Sequence, residues 1–154
     1  MRVRGMDHTA LLVSDVEASR GFYGDVLGME GVPRPANFEF PGAWFRVGTV
    51  ELHLIGEAEP GRVRQIQANY DPEELAAGYC SHFALEVDDL EESRRWVEER
   101  GAKIVGAPRR RDGGVAQMYL ADPDGYVVEL MARSPVGEEE IPVREGLARD
   151  NDPA

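Results

Sequence analysis

The chain has 154 residues, of which 42% are hydrophobic and 30% charged, a balance that indicates one folded domain rather than a disordered chain. Its formal net charge of −12 argues against a nucleic-acid partner, because phosphate backbones attract basic surfaces. A single cysteine, no N-terminal apolar stretch of the signal-peptide kind, and no apolar run near the roughly 20 residues of a membrane-spanning helix together predict a cytoplasmic protein without a membrane partner.

The chain begins with a predicted strand and a predicted helix. Residues from His8 to Val13 alternate between two faces, which is the period of a half-buried strand. Asp15 then offers oxygen acceptors and negative charge at a helix N-terminus. The helix carries apolar residues at helical spacing and ends at Gly28, and we predict that its aromatic side chains belong to the core.

Three more strands are predicted in the first half of the chain, at Phe38–Phe40, Ala43–Val47 and Val50–Ile55. Gly48-Thr49 forms the tight turn between the last two of these strands. The segment that follows, residues 57–79, is long for a loop. It is predicted to contain a short helix with a capping aspartate, a proline in its first turn and a glycine after its end.

The first strand and helix recur 74 positions later in the chain. His8 aligns with His82, and the capping aspartates and several apolar residues match as well. The second helix is predicted to place Trp96 in the core and to end at Gly101. The strands predicted after it are Lys103–Ala107, Ala116–Ala121 and Tyr126–Ala132, with the turn Asp122–Gly125 between the last two.

Each copy therefore reads βαβββ, and we predict an α+β fold in which two such modules form one domain over residues 1–133. Module one covers residues 6–56, the linker with its short helix covers 57–79, and module two covers 80–133. Residues 134–154 are acidic and lack apolar periodicity, so they are predicted to form a disordered tail.

Each module offers one histidine at the start of its first strand and one glutamate on its last strand. Val50-Glu51-Leu52 aligns with Val128-Glu129-Leu130, and a buried carboxylate must be paired or metal-bound. The alternative is that these are ordinary hydrogen-bonded or solvent-facing side chains. Two imidazoles and two carboxylates suit one divalent ion, such as Zn²⁺, Ni²⁺, Mn²⁺, Co²⁺ or Fe²⁺, and leave positions open for a small-molecule substrate. The predicted metal ligands are His8, Glu51, His82 and Glu129.

Two neighbouring residues are alternative ligands. His53 lies two residues after Glu51 and therefore on the same strand face. The alignment matches His53 to Met131, which favours Glu51 as the ligand and His53 as a substrate contact, proton shuttle or fifth ligand. Cys80 shares the face of His82, but the first copy has no counterpart of similar chemistry, so a thiolate ligand is the weaker interpretation.

The strands that carry the predicted ligands also supply candidate walls for a substrate cavity. Arg46 is either a contact for a substrate carboxylate or phosphate group or an exposed strand residue. The cationic run Arg109-Arg110-Arg111 is either a solvated loop or a clamp for an anionic substrate group. The predicted substrate-binding residues are His53, Trp44 (or Phe45), Arg46, Gln117 and Tyr119.

Two sequence motifs, together with the paired βαβββ modules, resemble those of a known superfamily. FYGDVLGM in the first helix and DPDGYVVEL near the last strand resemble the vicinal oxygen chelate superfamily over about Met6 to Arg133. That group includes glyoxalase I, methylmalonyl-CoA epimerase, fosfomycin-resistance thiol transferases, extradiol dioxygenases and bleomycin-binding proteins. The resemblance implies a homodimer and a divalent metal held by the four ligands that the repeat predicts.

The resemblance also implies a reaction. In glyoxalase-like enzymes the metal chelates adjacent substrate oxygens and a ligand glutamate moves the proton, which implies Glu129 or Glu51 as the base. We therefore predict a metal-dependent, glyoxalase-like enzyme with lyase or isomerase chemistry. The alternatives in the superfamily are a metal-free bleomycin-resistance-type binding protein, a fosfomycin-type thiol transferase, a dioxygenase, and an epimerase, which would carry an amide where Glu51 stands.

Overall fold

Two four-stranded sheets, one in each half of the sequence, carry the fold of the computed structural model. The structure describes residues 1–67, 69–111 and 114–133, so the predicted acidic tail, residues 134–154, lies outside the described residues. The chain divides into two compact units, and the first of them also includes the turn Asp122–Gly125. Each unit is built around one of the two sheets.

The first unit is a sheet whose strand order is β1-β4-β3-β2. The first and fourth strands pair in parallel, and the remaining neighbours pair antiparallel. In chain order the unit contains β1 (His8–Val13), α1 (Val16–Arg20), a π-helical turn (Gly21–Val26), β2 (Glu30–Val32), β3 (Gly42–Val47), β4 (Val50–Gly56) and α2 (Arg62–Ile66).

The second unit repeats this arrangement. Its strand order, β5-β8-β7-β6, and its strand directions match those of the first sheet, so the predicted α+β architecture of two βαβββ modules is confirmed. No helix in the described part of the chain is long and apolar enough to cross a membrane. In chain order the unit contains α3 (Pro72–Ala77), β5 (His82–Glu86), α4 (Leu90–Glu99), β6 (Lys103–Arg110), β7 (Ala116–Ala121) and β8 (Val127–Ala132).

The first helix differs from its prediction because a π-helical turn follows α1. In that turn the Leu27 N–H donates to the carbonyl of Phe22 at 2.9 Å, closing a ring one residue wider than that of an α-helix. The wider turn accommodates two consecutive rings, Phe22 and Tyr23, which are both buried as predicted for the core. The Tyr23 hydroxyl donates to the Asp122 carboxylate at 2.8 Å, so its burial leaves no unsatisfied donor.

The prediction of a strand at Phe38–Phe40 is wrong, because the strand at this edge of the first sheet is β2 (Glu30–Val32). The alternating aromatic pattern that suggested a strand instead forms a ring cluster in a loop. Phe38 lies edge-on to Phe40, at 5.4 Å between ring centroids, and to Trp44, at 5.3 Å. The Arg34 guanidinium donates to the Phe40 carbonyl at 2.7 Å, so this carbonyl is engaged outside any strand ladder.

The prediction that Trp96 belongs to the core is also wrong. The side chain is 46% exposed on α4, whose inner face is formed by Leu90 and Val97. The Arg100 guanidinium lies over the Trp96 ring, 3.1 Å from its centroid. A cation–π contact and the arginine stem thus cover the ring at the surface.

A single carboxylate anchors α2, which has no side-chain cap of its own. The two carboxylate oxygens of Glu57 accept hydrogen bonds from the backbone N–H groups of Gly61 and Val63, each at 2.9 Å. These donors, that of Val63 first, hold the pKa of Glu57 below its ordinary value. The ionised carboxylate therefore helps to keep the buried side chain of Val63 in place.

We expect the Val63 amide to lose protection against hydrogen exchange as the pH falls through the folded-state pKa of Glu57. Because folding lowers this pKa, the stabilisation is complete above the unfolded value of about 4.3 and disappears below the folded one. Glu57→Gln should remove the pH dependence, whereas Glu59→Gln, at an exposed neighbour, should keep it. Amide exchange followed by NMR checks this, and identical pH profiles for wild type and E57Q would contradict it.

Candidate functional site

The predicted residues of module one lie on a single face of the first sheet. Glu51 of β4 pairs with His8 of β1 and with Arg46 of β3, and paired residues point to the same side of a sheet. Phe45 points to the opposite face, where it is buried, so Trp44 is the aromatic residue of β3 on the site face. This surface, called the first open face, carries His8, Trp44, Arg46, Glu51 and His53.

Three rings are stacked on the first open face. The Trp44 and His53 rings are 3.9 Å apart and 9° from parallel, and the His53 and His8 rings are 4.4 Å apart and 15° from parallel. The Asp7 carboxylate lies 2.8 Å from Nδ1 of His8. Asp7 is not among the residues predicted from the sequence, although an acidic residue directly before the histidine is a signal for such a contact.

Glu51 bridges a histidine and an arginine rather than standing alone. Its Oε2 lies 2.9 Å from Nε2 of His53, and its Oε1 lies 3.6 Å from Nη2 of Arg46. The hydrogen bond from His53 is the largest cause that lowers the pKa of Glu51, and Arg46 adds a smaller contribution. Glu51 is thus an ionised carboxylate, and Arg46 is not a freely available cation for a substrate.

The second sheet places the predicted residues of module two on one face, called the second site face. Nε2 of His82 lies 2.9 Å from Oε2 of Glu129, whose side chain is only 5% exposed. Gln117 Nε2 donates to the Tyr119 hydroxyl at 2.6 Å, and the other amide atom of Gln117, Oε1, is buried and has no hydrogen-bond partner among the described residues. The residues on this face include His82, Gln117, Tyr119 and Glu129.

The hydrogen bonds of His82 determine which of its nitrogens carries a proton. Nδ1 lies 2.8 Å from the carbonyl oxygen of Cys80, and a carbonyl can only accept, so Nδ1 carries the proton. Nε2 of His82 then faces the nearly dry carboxylate of Glu129 at 2.9 Å. Either a proton on Nε2, which makes His82 an imidazolium, or a cation between the two groups satisfies this contact.

All three histidines show the hydrogen-bond pattern of metal ligands. One ring nitrogen of each faces an oxygen acceptor, namely Asp7 for His8, Glu51 for His53 and the Cys80 carbonyl for His82. Ligand histidines typically donate their second ring N–H in this way, which fixes the tautomer and the ring plane. In neutral imidazoles held this way, Nε2 of His8 and His82 and Nδ1 of His53 would be the nitrogens with lone pairs.

The strand register corrects the predicted equivalence of Glu51 and Glu129. In the second sheet Glu129 pairs with Ala84, whereas in the first sheet the matching residue, Ala10, pairs with His53. The position equivalent to Glu129 is therefore occupied by His53, and Glu51 lies one row away, opposite His8. The alignment of the two Val-Glu-Leu triplets was wrong for the sheet, because two residues on one face were available and register decides between them.

The candidate ligands are imidazoles and carboxylates, which are donor types that divalent cations bind, and they are divided between the two units. Each unit holds an imidazole and a carboxylate in contact. Within residues 1–67, 69–111 and 114–133, no group of three or more His, Cys, Asp or Glu side chains is clustered so as to hold a metal ion. The described residues therefore form two separate groups of candidate donors, which we call half-sites: His8 with Glu51 and His53, and His82 with Glu129.

The remaining candidates have weaker positions. Burial, followed by the charges of Glu74 and Glu129, raises the pKa of the Cys80 thiol, which disfavours a thiolate ligand. Arg109 and Arg110 belong to β6 rather than to a loop. Arg109 pairs with Gln117 in register, so its position lies on the second site face, and it adds a cation to the face that carries the candidate donors of module two.

Two glycines make room for the buried side chain of Tyr119 on the second site face. A Cβ at Gly106 would lie 2.6 Å from Cδ2 of Tyr119 and 3.2 Å from the carbonyl oxygen of Ala76 in α3. Gly78, after the end of α3, also lies against the Tyr119 hydroxyl. The linker helix thus packs closely on β6 only because both positions lack side chains.

Comparison with known proteins identifies similar chains over most of the sequence. The family model described as the Glyoxalase/Bleomycin resistance protein/Dioxygenase superfamily matches residues 5–130. Lactoylglutathione lyase of Neisseria meningitidis is 31% identical over 128 residues, covering 82% of this chain and 88% of the relative. Glyoxylase I 4 of Arabidopsis thaliana is 27% identical over 131 residues, covering 84% of this chain and 71% of the relative. The solved structure of a Bacillus anthracis protein assigned to the glyoxalase family has a TM-score of 0.66 and 27% identity, covering 87% of this chain and all of that one.

We expect Gly106→Ala to destabilise the protein by about 1–3 kcal/mol, because the added methyl group must displace the Tyr119 ring or the backbone of α3. Gly31→Ala is the matched control, since a Cβ on β2 meets nothing within 4 Å, and we expect its effect to stay within about 0.5 kcal/mol. Urea unfolding measures both changes. Equal stabilities of the two variants would contradict the packing described for Tyr119.

Proposed function

Because this chain belongs to the Glyoxalase/Bleomycin resistance protein/Dioxygenase superfamily, we propose that it is a divalent-metal-dependent enzyme acting on a small oxygenated substrate. The match confirms the resemblance that the FYGDVLGM and DPDGYVVEL motifs predicted. Within the family we propose glyoxalase-like lyase or isomerase chemistry, which is supported by a relative named lactoylglutathione lyase. The observation that carries the proposal is the nearly dry pair of His82 and Glu129, in which the imidazole is fixed by the Cys80 carbonyl and turns Nε2 towards the carboxylate.

The proposed ligands are one nitrogen of each histidine and the carboxylate of Glu129. Because the lone pair of an imidazole lies in its ring plane, His8 would leave its stack on His53 to share one ion with it. The register supports His53 as the fourth ligand in place of Glu51, which the sequence predicted. Glu51 would instead hold the N–H of His53, as Asp7 holds that of His8. Three imidazoles and one carboxylate suit Zn²⁺, Ni²⁺, Mn²⁺, Co²⁺ or Fe²⁺. When bound, such an ion supplies Lewis-acid polarisation of a substrate carbonyl.

Glu129 is the group that we propose to move the proton. Its carboxylate would accept the proton from the hydroxyl-bearing carbon next to the substrate carbonyl and return it to the carbonyl carbon. The hydroxyl proton would pass to the carbonyl oxygen, so the substrate is isomerised with no net oxidation. Its side chain is 5% exposed, whereas that of Glu51 is 30% exposed and engaged by His53 and Arg46. Exclusion of water reduces the hydration of the Glu129 carboxylate that would have to be removed before it accepts the proton.

Elemental analysis of the untagged protein tests the ligand set. We expect bound divalent metal in the wild type, and a loss of metal affinity of at least about 100-fold in His53→Ala and Glu129→Gln, because each removes a donor atom. Glu51→Gln should cost about tenfold, since it removes only the partner of a ligand. Cys80→Ser is the control and should bind metal as the wild type does.

Two results would contradict this ligand set. A wild type without metal would favour a metal-free binding protein of the bleomycin-resistance type. A larger loss in E51Q than in H53A would return Glu51 to the ligand position. An activity screen of metal-loaded protein on hemithioacetal, coenzyme A thioester, catechol and fosfomycin substrates tests the reaction, and turnover of the hemithioacetal is expected.

We also propose a homodimer, as the resemblance implies, with one ion served by the half-site of one chain and that of its partner. Sedimentation should then give twice the 17.1 kDa chain mass. Mixing and refolding His8→Ala with Glu129→Gln should restore part of the metal binding, because each hybrid dimer contains one intact pair of half-sites. A monomeric mass would contradict the dimer, and a dimer without recovery would show that each chain serves its own ion.

A further inference from the structure

An aromatic surface extends from the proposed ligands towards the edge of the first sheet. The Trp44 ring stacks on His53 at 3.9 Å, Phe38 meets Trp44 at 5.3 Å, and Phe40 meets Phe38 at 5.4 Å. These contacts form one continuous row of rings, which we call the aromatic wall (Phe38, Phe40, Trp44 and His53). Its inner end is a proposed metal ligand, and its outer end is a loop.

The aromatic wall is not part of the core. The rings that fill the opposite side of this unit, Phe22, Tyr23 and Phe45, are buried. Phe38 and Phe40 are 38% and 37% exposed. Leaving phenyl rings in water forgoes the free energy of burying them, so such a cluster beside a site is typical of a ligand surface.

The loop that carries the outer rings is held in place before any ligand arrives. The Arg34 guanidinium donates to the carbonyls of Phe40 and Gly42 at 2.7 and 3.2 Å and lies over the Phe40 ring. The Phe38 N–H donates to the Pro35 carbonyl at 3.2 Å. A preformed wall lowers the entropy that binding would otherwise cost.

The charges bordering the wall do not favour an anionic group. Nη2 of Arg46 lies 3.6 Å from Oε1 of Glu51, and Arg46 pairs with Glu30 on the neighbouring strand, so two acidic residues are its neighbours. Arg34 is engaged by the two carbonyls that it clamps. Recognition along this surface therefore rests on ring contacts rather than on ion pairs.

We propose that the substrate carries an aryl or similarly planar apolar group, which packs on Phe38 and Trp44 while its vicinal oxygens reach the metal. This inference rests on the proposed metal-dependent function and names the substrate class for the same site. It makes Phe38 a specificity-determining residue, since its exposed ring contacts Trp44 and touches none of the proposed ligands in the contacts described above.

Two hydroxamates that differ only in their apolar group test the inference by binding rather than by turnover. Acetohydroxamate and benzohydroxamate both present vicinal oxygens to a metal, but only the second carries a ring. The protein is used as the full-length, Zn²⁺-loaded chain with Trp96→Phe, so that Trp44 is its single tryptophan. Fluorescence of Trp44 then reports binding beside the wall.

We expect benzohydroxamate to bind at least about tenfold more tightly than acetohydroxamate and to change the Trp44 emission. Phe38→Ala should remove most of this preference and leave acetohydroxamate affinity unchanged. Ile66→Ala, which truncates an exposed apolar side chain on α2, is the control and should keep the full preference.

The outcomes separate the inference from the function on which it rests. Equal affinity for the two hydroxamates, or a preference that Phe38→Ala leaves intact, would overturn the aryl-binding wall while the metal proposal stands. If neither hydroxamate binds the zinc-loaded protein, the proposed metal site fails and the inference falls with it.

Discussion

The hydrogen bond between Nδ1 of His82 and the Cys80 carbonyl constrains the chemistry of the whole candidate site. Because a carbonyl cannot donate, it places a proton on Nδ1 and turns Nε2 towards Glu129. The sheet keeps the Glu129 carboxylate nearly free of solvent, so little water reaches this contact. A proton on Nε2 or a cation between the two groups satisfies it, and one ring nitrogen of each of the other two histidines also faces an oxygen acceptor, on Asp7 and on Glu51.

The internal repeat explains both what the two half-sites share and where they differ. The sheets have the same strand order, and the histidines open equivalent strands. The last hairpins differ, because Val47 pairs directly with Val50 across a two-residue turn, whereas Ala121 pairs with Val127 across a longer one. The longer turn displaces Glu129 by one row relative to Glu51, so equal Val-Glu-Leu triplets occupy unequal places.

Most elements could be predicted from the sequence, because period-2 patterns, aspartate caps and glycine stops are local signals. The failures arise where tertiary packing overrides such signals: the Phe38–Phe40 rings cluster with Trp44 instead of joining a ladder, and Trp96 lies under Arg100. At the site, the repeat was enough to predict His8, His82 and Glu129 as candidate donors. It could not decide between Glu51 and His53, because that choice depends on a strand register that hydrophobic alternation leaves open.

The aromatic wall and the half-site of module one belong to one surface, in which His53 is both the last ring of the stack and a proposed donor. X-ray absorption spectroscopy of the zinc-loaded, full-length protein examines that donor set most directly, because imidazole rings give a distinctive multiple-scattering signal. Three imidazoles and one carboxylate per ion are predicted. Two imidazoles, or a protein that retains no zinc, would contradict the assignment of His53.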